Sequence, residues 1–412
     1  MATNDTRLRV LFGGVFPFLW YPPPRKRMSA RTCISPAQPR RRFSHHVLGV
    51  GSIALALAAC APDTIVTSSA GVGAANVGPH APAYDVTPTL STHFAFFFNA
   101  RPTSLFQVAL DVVTPNQFSE LTKTTKVDVG QFNSVVPSMG DVGNPGNKEM
   151  VMITTYGAAT AQCTSDAWSS LSDELQVGIK CNDMLTGQPA DVPQAVLIVG
   201  NNSLGTPSAF TIANQPTAAS YVPDTAVSYT SGTGAMLIQR IGTGDWYVNV
   251  GTGSPQGSTY LVNSFDARVV CTIAEWKNFG IRARCFDRTG ALVDAPFKVL
   301  QIGAGRTGFP FAFAWADQRS LTTTYVPNPS ASRGTSITST RISAGTYDVA
   351  FAGFATHDTL PENVQLTAFS GAYSACAVVS KGDSGTSRVV RVECRDSFGR
   401  PADSRFNIFL TR

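Results

Sequence analysis

From about residue 93 onward the chain alternates. TYDVAFAG from Thr346, VQLTAFSG from Val364 and RVVRVEC from Arg388 place apolar side chains at every second position, or nearly so. They are rich in β-branched and aromatic residues. A period of two puts one face of an extended strand inside and the other outside. Gly, Asn and Asp interrupt these runs at short intervals, as turns require. No long stretch keeps a helical period, and DAWSSLSDEL from Asp166 is expected to give one helical turn in a loop. The pattern predicts an all-β fold.

The alternating region is one pattern written three times. ITTYGAATAQC ends at Cys163, VNSFDARVVC at Cys271 and TAFSGAYSAC at Cys376, at spacings of 108 and 105 residues. A second cysteine follows in IKCNDMLTG (Cys181), RARCFDRTG (Cys285) and VECRDSFG (Cys394). Upstream, a basic residue is followed by Gly four positions on and an aromatic two beyond that: Lys126-Gly130-Phe132, Arg240-Gly244-Trp246 and Arg341-Gly345-Tyr347. Each unit opens on an apolar strand, FAFFFNA from Phe94, AFTIANQ from Ala209 and FAFAWADQ from Phe311. Self-similarity at a fixed period marks internal duplication. It predicts three repeats of about 105 residues, at 93–206, 207–308 and 309–412, with roughly eight short strands in each.

Two architectures accommodate such units. The favoured expectation is a six-bladed β-propeller, with two four-stranded blades per repeat. FKVLQIG, from Phe297, leads almost directly into FAFAWADQ and would pair with it. The C-terminal FNIFLTR would then complete the blade that FAFFFNA begins, removing two exposed edges. The alternative is three tandem β-sandwich domains, each of ordinary sandwich size.

The cysteines sharpen this picture. Asn278 is the midpoint of Cys271 and Cys285, inside the turn-like KNFG. An antiparallel hairpin about that turn would bring the two cysteines face to face, within disulfide reach. The same plan predicts Cys163–Cys181, Cys271–Cys285 and Cys376–Cys394, in an oxidising compartment. No metal site is expected, because a zinc centre would need more closely clustered thiolates or histidines.

Charge separates the chain into two parts. Nine of the 32 basic and one of the 27 acidic residues lie in residues 1–60, leaving 23 basic and 26 acidic residues and a net charge of −3 beyond them. Without a basic run there, nucleic acid is not an expected partner. Residues 61 to about 91 are rich in Ala, Pro, Gly, Ser, Thr and Val. Such a segment buries too little to fold and reads as a tether.

The basic part explains itself as an address. Arg40-Arg41-Arg42 precede the uncharged, mostly apolar run VLGVGSIALALAA, which ends at Cys60. A basic region, a short apolar core and a small-residue end make a secretory signal, too short to span a membrane as a helix. Leu57-Ala58-Ala59-Cys60 resembles the lipobox of bacterial lipoproteins. The resemblance implies cleavage before Cys60 and a diacylglycerol on its thiol, so that residues 1–59 are a signal region and 60–92 carry the lipid and the tether. Arg40-Arg41-Arg42-Phe43 partly resembles a twin-arginine export signal, although a plain basic region accounts for the same residues. Met28 would give a signal of normal length and is the expected start. Ala61 after Cys60 resembles the pattern sent to the outer membrane, so the outer membrane or cell surface is the expected location.

Candidate chemistry is sparse. GDSG at 382–385 resembles the nucleophile loop of trypsin-like proteases, but no matching His strand accompanies it. Gly385 is the midpoint of Cys376 and Cys394, which places GDSG at a hairpin tip. His357-Asp358 occurs in one repeat only and reads as a solvated loop pair. Each second cysteine is followed by an acid and a Gly (Asp183 with Gly187, Asp287 with Gly290, Asp396 with Gly399) and then by Asp191, Asp294 or Asp403. Repeated carboxylates could bind calcium; Asp-x-x-Gly turns are the simpler reading. Trp246 and Trp315 read as core, and Trp276, beside the KNFG turn, is the candidate ligand-stacking residue. These features predict a lipid-anchored envelope protein with a non-catalytic binding or scaffolding role and no cofactor. Its ligand would be a glycan or an envelope protein. The alternative is a hydrolase or lyase acting on envelope polysaccharide.

Overall fold

A computed structural model describes the chain from Phe94 to Arg412, apart from residues 105, 109, 114–121, 138, 140–147, 158, 172–173, 202, 204–206, 254–256, 306–309, 335 and 356–360. Cys60, the expected signal and tether, Met28 and His357-Asp358 lie outside the described residues. The fold is all-β, with a single short 3-10 turn at Pro329–Ala331 among the described residues.

The segment 93–206 contributes β1 (Phe94–Asn99), β2 (Phe106–Val108), β3 (Leu110–Val113), β4 (Lys123–Asp128), β5 (Gln131–Pro137), β6 (Glu149–Thr155), β7 (Ala161–Leu171), β8 (Glu174–Asp183) and β9 (Gln194–Gly200). The segment 207–308 contributes β10 (Ala209–Ala213), β11 (Ser220–Tyr221), β12 (Tyr229–Thr230), β13 (Leu237–Gly242), β14 (Asp245–Asn249), β15 (Ser258–Ser264), β16 (Val270–Lys277), β17 (Gly280–Phe286) and β18 (Phe297–Gly303). The segment 309–412 contributes β19 (Phe311–Ala316), β20 (Ile337–Ser343), β21 (Thr346–Ala352), β22 (Asn363–Phe369), β23 (Ala375–Ser384), β24 (Ser387–Arg395) and β25 (Arg405–Thr411).

One strand order recurs in all three segments. The opening strand pairs antiparallel with the closing strand, which pairs with a middle strand: β1-β9-β6, β10-β18-β15 and β19-β25-β22. A second sheet runs β4-β5-β8-β7, β13-β14-β17-β16 and β20-β21-β24-β23. The two sheets of a segment face each other across an apolar core. In the second segment Ile238, Trp246, Val248, Ile281 and Ala283 of one sheet meet Tyr260, Val262, Phe297 and Val299 of the other.

The pairing expected of a propeller is not formed. β18 pairs with β10 and β15 rather than with β19, and the C-terminal β25 pairs with β19 and β22 rather than with β1. The reason lies in the strands themselves. β6, β9, β15, β18 and β22 are buried at every position, so each needs apolar cover on both faces. One face fills the sandwich of its own segment. The other fills a core common to all three, where Phe96, Met152 and Leu197 meet Phe210, Leu261 and Leu300, and Phe313 and Phe409. The segments are therefore paired sheets, as in tandem sandwiches, but they share a central core.

The segments also close on one another in a ring. Tyr156 forms a parallel bridge to Val378, and β22 pairs in parallel with β16 at Phe369 and Ile273. The Thr164 hydroxyl donates to the carbonyl of Ser264, and that of Thr272 to the carbonyl of Ser370 at 2.8 Å. First joins third, third joins second, and second joins first. Buried side chains reinforce these joints: Asn263 Oδ1 accepts the Ile153 N–H at 2.7 Å, Thr367 Oγ1 the Val262 N–H at 2.9 Å, and Thr154 Oγ1 the Leu366 N–H at 2.9 Å.

The described residues of DAWSSLSDEL are strand rather than helical turn. It belongs to the long hairpin of β7 and β8, where Trp168 stands opposite Val177 and a bulge falls between Ser165 and Ala167. Hairpin pairing outweighs the weak local helical tendency.

Candidate functional site

The six cysteines pair as the spacing predicts. Cys163–Cys181, Cys271–Cys285 and Cys376–Cys394 are disulfides between directly opposed residues, with Cα separations of 4.1, 4.0 and 4.0 Å. Three such bridges fit an oxidising, extracytoplasmic compartment.

Beside each disulfide the repeated basic residue, Gly and second acid prove to be one device. Arg240 grips Asp294 through Nε at 3.1 Å and Nη2 at 2.7 Å, and Arg341 grips Asp403 through both nitrogens at 2.9 Å. Lys126 pairs with Asp191 in the same way. Each acid also accepts a backbone N–H at 2.8 Å, from Gly130, Gly244 or Gly345. These glycines have φ of +65°, +65° and +69°. Their carbonyls accept the N–H of Cys181, Cys285 and Cys394. A Cβ on Gly244 would sit 2.6 Å from Val293 N and 2.8 Å from the Cys285 carbonyl oxygen, so glycine is required there. The side-chain hydrogen bonds from Arg240 hold the Asp294 carboxyl below the usual range, against the opposing effect of burial. For Asp403 burial acts upward, and Arg341 with the Gly345 N–H outweighs it. These carboxylates are occupied internally.

The first acids form the turns expected. Asp183 Oδ1 accepts the N–H of Leu185 and Thr186, Asp287 Oδ1 that of Thr289 and Ala291, and Asp396 Oδ1 that of Phe398 and Arg400. The three turns meet. Gly187 lies against Arg288, Gly290 against Ser397, and Gly399 against Leu185. Tyr373 stands among them; burial raises its phenol pKa, and Asp396, Asp183 and Asp287 raise it further. Below this cap, Met184, Val270 and Ala375, one from each segment, form a small apolar cluster with Tyr373.

A small polar pocket, open to solvent, lies at this end of the ring. Its polar lining comes from all three segments: Thr154, Thr155 and Gln162, then Asn263, then Thr367 and Ser374. Asn263, Thr154 and Thr367 are already engaged in joints between segments. The lining is neutral and hydrogen-bonding, with no acid–base pair. Among the described residues no group of three or more His, Cys, Asp or Glu side chains converges as a metal site would.

The aromatic candidates fall at the joints and in the core. Trp246 is buried against Phe297, ring centroids 5.1 Å apart. Trp276 does not stand alone at the surface. It packs on Trp315 at 4.5 Å and on Phe369 at 5.3 Å, so it spans the joint between the second and third segments. The equivalent position of the first segment is Trp168, stacked on Phe265 across the joint to the second. In the third it is Lys381, over the ring of Phe98. Partial burial at the joint, rather than the KNFG turn, sets the environment of Trp276.

Two charged sites escaped the sequence reading. Lys298 is fully buried at the joint between the first and second segments. Its Nζ donates to Ser165 Oγ at 2.5 Å and lies over the rings of Phe265 and Trp168, at 4.7 and 5.5 Å. Burial lowers its pKa to about 7, with Asp166 acting in the other direction. A lone charge inside FKVLQIG, where the first repeat has QAVLIVG, was the available signal. The second site is Glu362, buried beside Arg388 and Lys381. Arg388 also binds Asp383 at 2.8 Å. GDSG is thus the tip of the β23–β24 hairpin, with Ser384 opposite Ser387 and Gly385 at φ +60°. Its acid is held by an arginine.

The described helical content offers no helix long and apolar enough to cross a membrane. No protein-family model matches this chain, and neither a curated protein nor a solved structure matches it significantly.

Proposed function

We propose that the chain is an exported lipoprotein of the bacterial envelope, anchored through Cys60, whose three-segment β region is a non-catalytic binding or scaffolding body. In this reading the segments are copies of one ancestral unit, and the ligand is a glycan or another envelope protein. The observation that carries it is the use of the repeated polar residues. Basic residue, Gly and both acids are consumed in clasps and turns beside each disulfide. A repeated signature spent on rigidity suits a scaffold that presents its surface.

Oxidised protein lacking residues 1–60 should retain an intact polysaccharide, or capture a specific protein, from fractionated native envelope. Shortening of the polysaccharide with time would replace this reading with that of a polysaccharide-acting enzyme. Anchoring is tested separately: a clickable fatty acid should label the expressed full chain, and Cys60→Ser should abolish the label.

A further inference from the structure

The first sandwich differs from the other two at one row of its interior. Asn99, Gln194 and Thr155 stand side by side on β1, β9 and β6, with Gln194 opposite both Asn99 and Thr155. Asn99 and Gln194 are fully buried. Their side chains share the sandwich-facing side with Phe97, Val196 and Ile153, two positions along each strand. Thr155 Oγ1 accepts the Cys163 N–H at 3.0 Å. The two amides make no such bond: Asn99 Oδ1 and Nδ2 and Gln194 Oε1 and Nε2 have no hydrogen-bond partner among the described residues.

The matching rows of the other sandwiches are apolar or nearly so. They read Ala213, Phe297 and Ser264 in the second and Ala316, Phe406 and Ala368 in the third. There the phenylalanine ring fills the interior against a large aromatic, Trp246 at 5.1 Å or Tyr347 at 5.3 Å. In the first sandwich Gln194 takes the place of that ring, and Phe132 takes the place of the larger aromatic. Ring volume is thus lower at the spot where four hydrogen-bonding atoms go unmatched. Buried polar groups are almost always partnered, by protein or by ordered water. A water molecule takes up about 30 Å3 in the liquid and, when buried, makes two to four hydrogen bonds to polar partners.

We infer that the Asn99–Gln194 row is an internal water-binding site, in which one or more ordered waters bridge the two amides inside the first sandwich. The amides supply donors and acceptors together, which suits water and no ion. The site accounts for two polar residues retained where the sister units use Ala and Phe.

A high-resolution crystal structure of the oxidised protein should show a water oxygen within about 3.2 Å of both amides. Water-17O relaxation dispersion should detect a long-lived internal water in the wild type. The double variant Asn99→Ala/Gln194→Phe, which rebuilds the second sandwich, should lose that signal and keep or raise Tm. Should it fail to fold, Gln194→Met alone should fold and lose the signal. Amides bonded directly to each other or to backbone with no density between them, a larger molecule in the site, or an unchanged relaxation signal in the variant would each overturn the inference.

Discussion

At the scale of the residue, the clasp glycines are held where no larger residue fits. Gly244 and Gly345 combine positive φ with backbone atoms closer than 3 Å to where a Cβ would stand. Forcing an ordinary residue into such a place costs on the order of 1–3 kcal/mol. Gly244→Ala should therefore lower Tm clearly, whereas Gly382→Ala, where a Cβ meets nothing, should leave it nearly unchanged. Equal melting of the two variants would contradict the clasp. Lys298 makes a pH prediction. Its folded pKa of about 7 lies below the unfolded value of about 10.4. Between those values the unfolded chain binds a proton that the native one lacks, so stability rises with pH across that window and the contribution is flat below it. Lys298→Met removes the effect. Its stability advantage over wild type should shrink by up to about 1.4 kcal/mol per unit from pH 7 to 9, measured by urea unfolding. A pH-independent difference would show that the amine titrates elsewhere.

At the scale of the element, most of what holds each sandwich was legible. Cysteine midpoints located the hairpins and fixed the pairs, because a cross-strand disulfide and its turn share one register. Removing one bridge with Cys271→Ala/Cys285→Ala should cost roughly 3 kcal/mol, read from denaturant unfolding of oxidised protein. The clasp was half legible. Lys126, Gly130 and Asp191 and their counterparts stood out by repetition, but spacing could not show that the acid closes on the glycine 61 residues earlier. The joints between segments were not legible. Thr367 Oγ1 both accepts from and donates to the backbone of Val262, 105 residues away, and a buried threonine in a strand carries no mark of such a partner. Thr367→Val leaves that N–H unpaired in the interior and should cost about 1–3 kcal/mol, visible as faster amide exchange at Val262.

At the scale of the whole molecule, the expected partner of each terminal strand was wrong for a physical reason. Nearness in sequence favours pairing of β18 with β19, yet both are needed at the common core beside their own segment's strands. Repetition announced three units without announcing that each would lean on the other two. This dependence sets the behaviour of fragments. Residues 93–308 alone would expose Phe96, Phe210 and their neighbours, which Phe313 and Phe409 cover in the full ring. That fragment should aggregate or remain molten by circular dichroism and gel filtration. A monomeric, cooperatively melting fragment would instead show that the sandwiches are autonomous domains.

β1 begins at Phe94, opposite Val199 near the far end of β9, and β25 ends at Thr411, opposite Phe311 and Asn363, so each lies at the strand end away from the Asp183 or Asp396 turn that precedes β9 or β25. Residues 94 and 412 therefore leave the body on the same side. A handle attached at either place, whether a surface-coupling tag, a fluorescent protein or the two arms of a host loop, would hold the body in one orientation. The turn cap and its pocket would then face outward in every such fusion, a ready geometry for arraying the body on a chip or a cell.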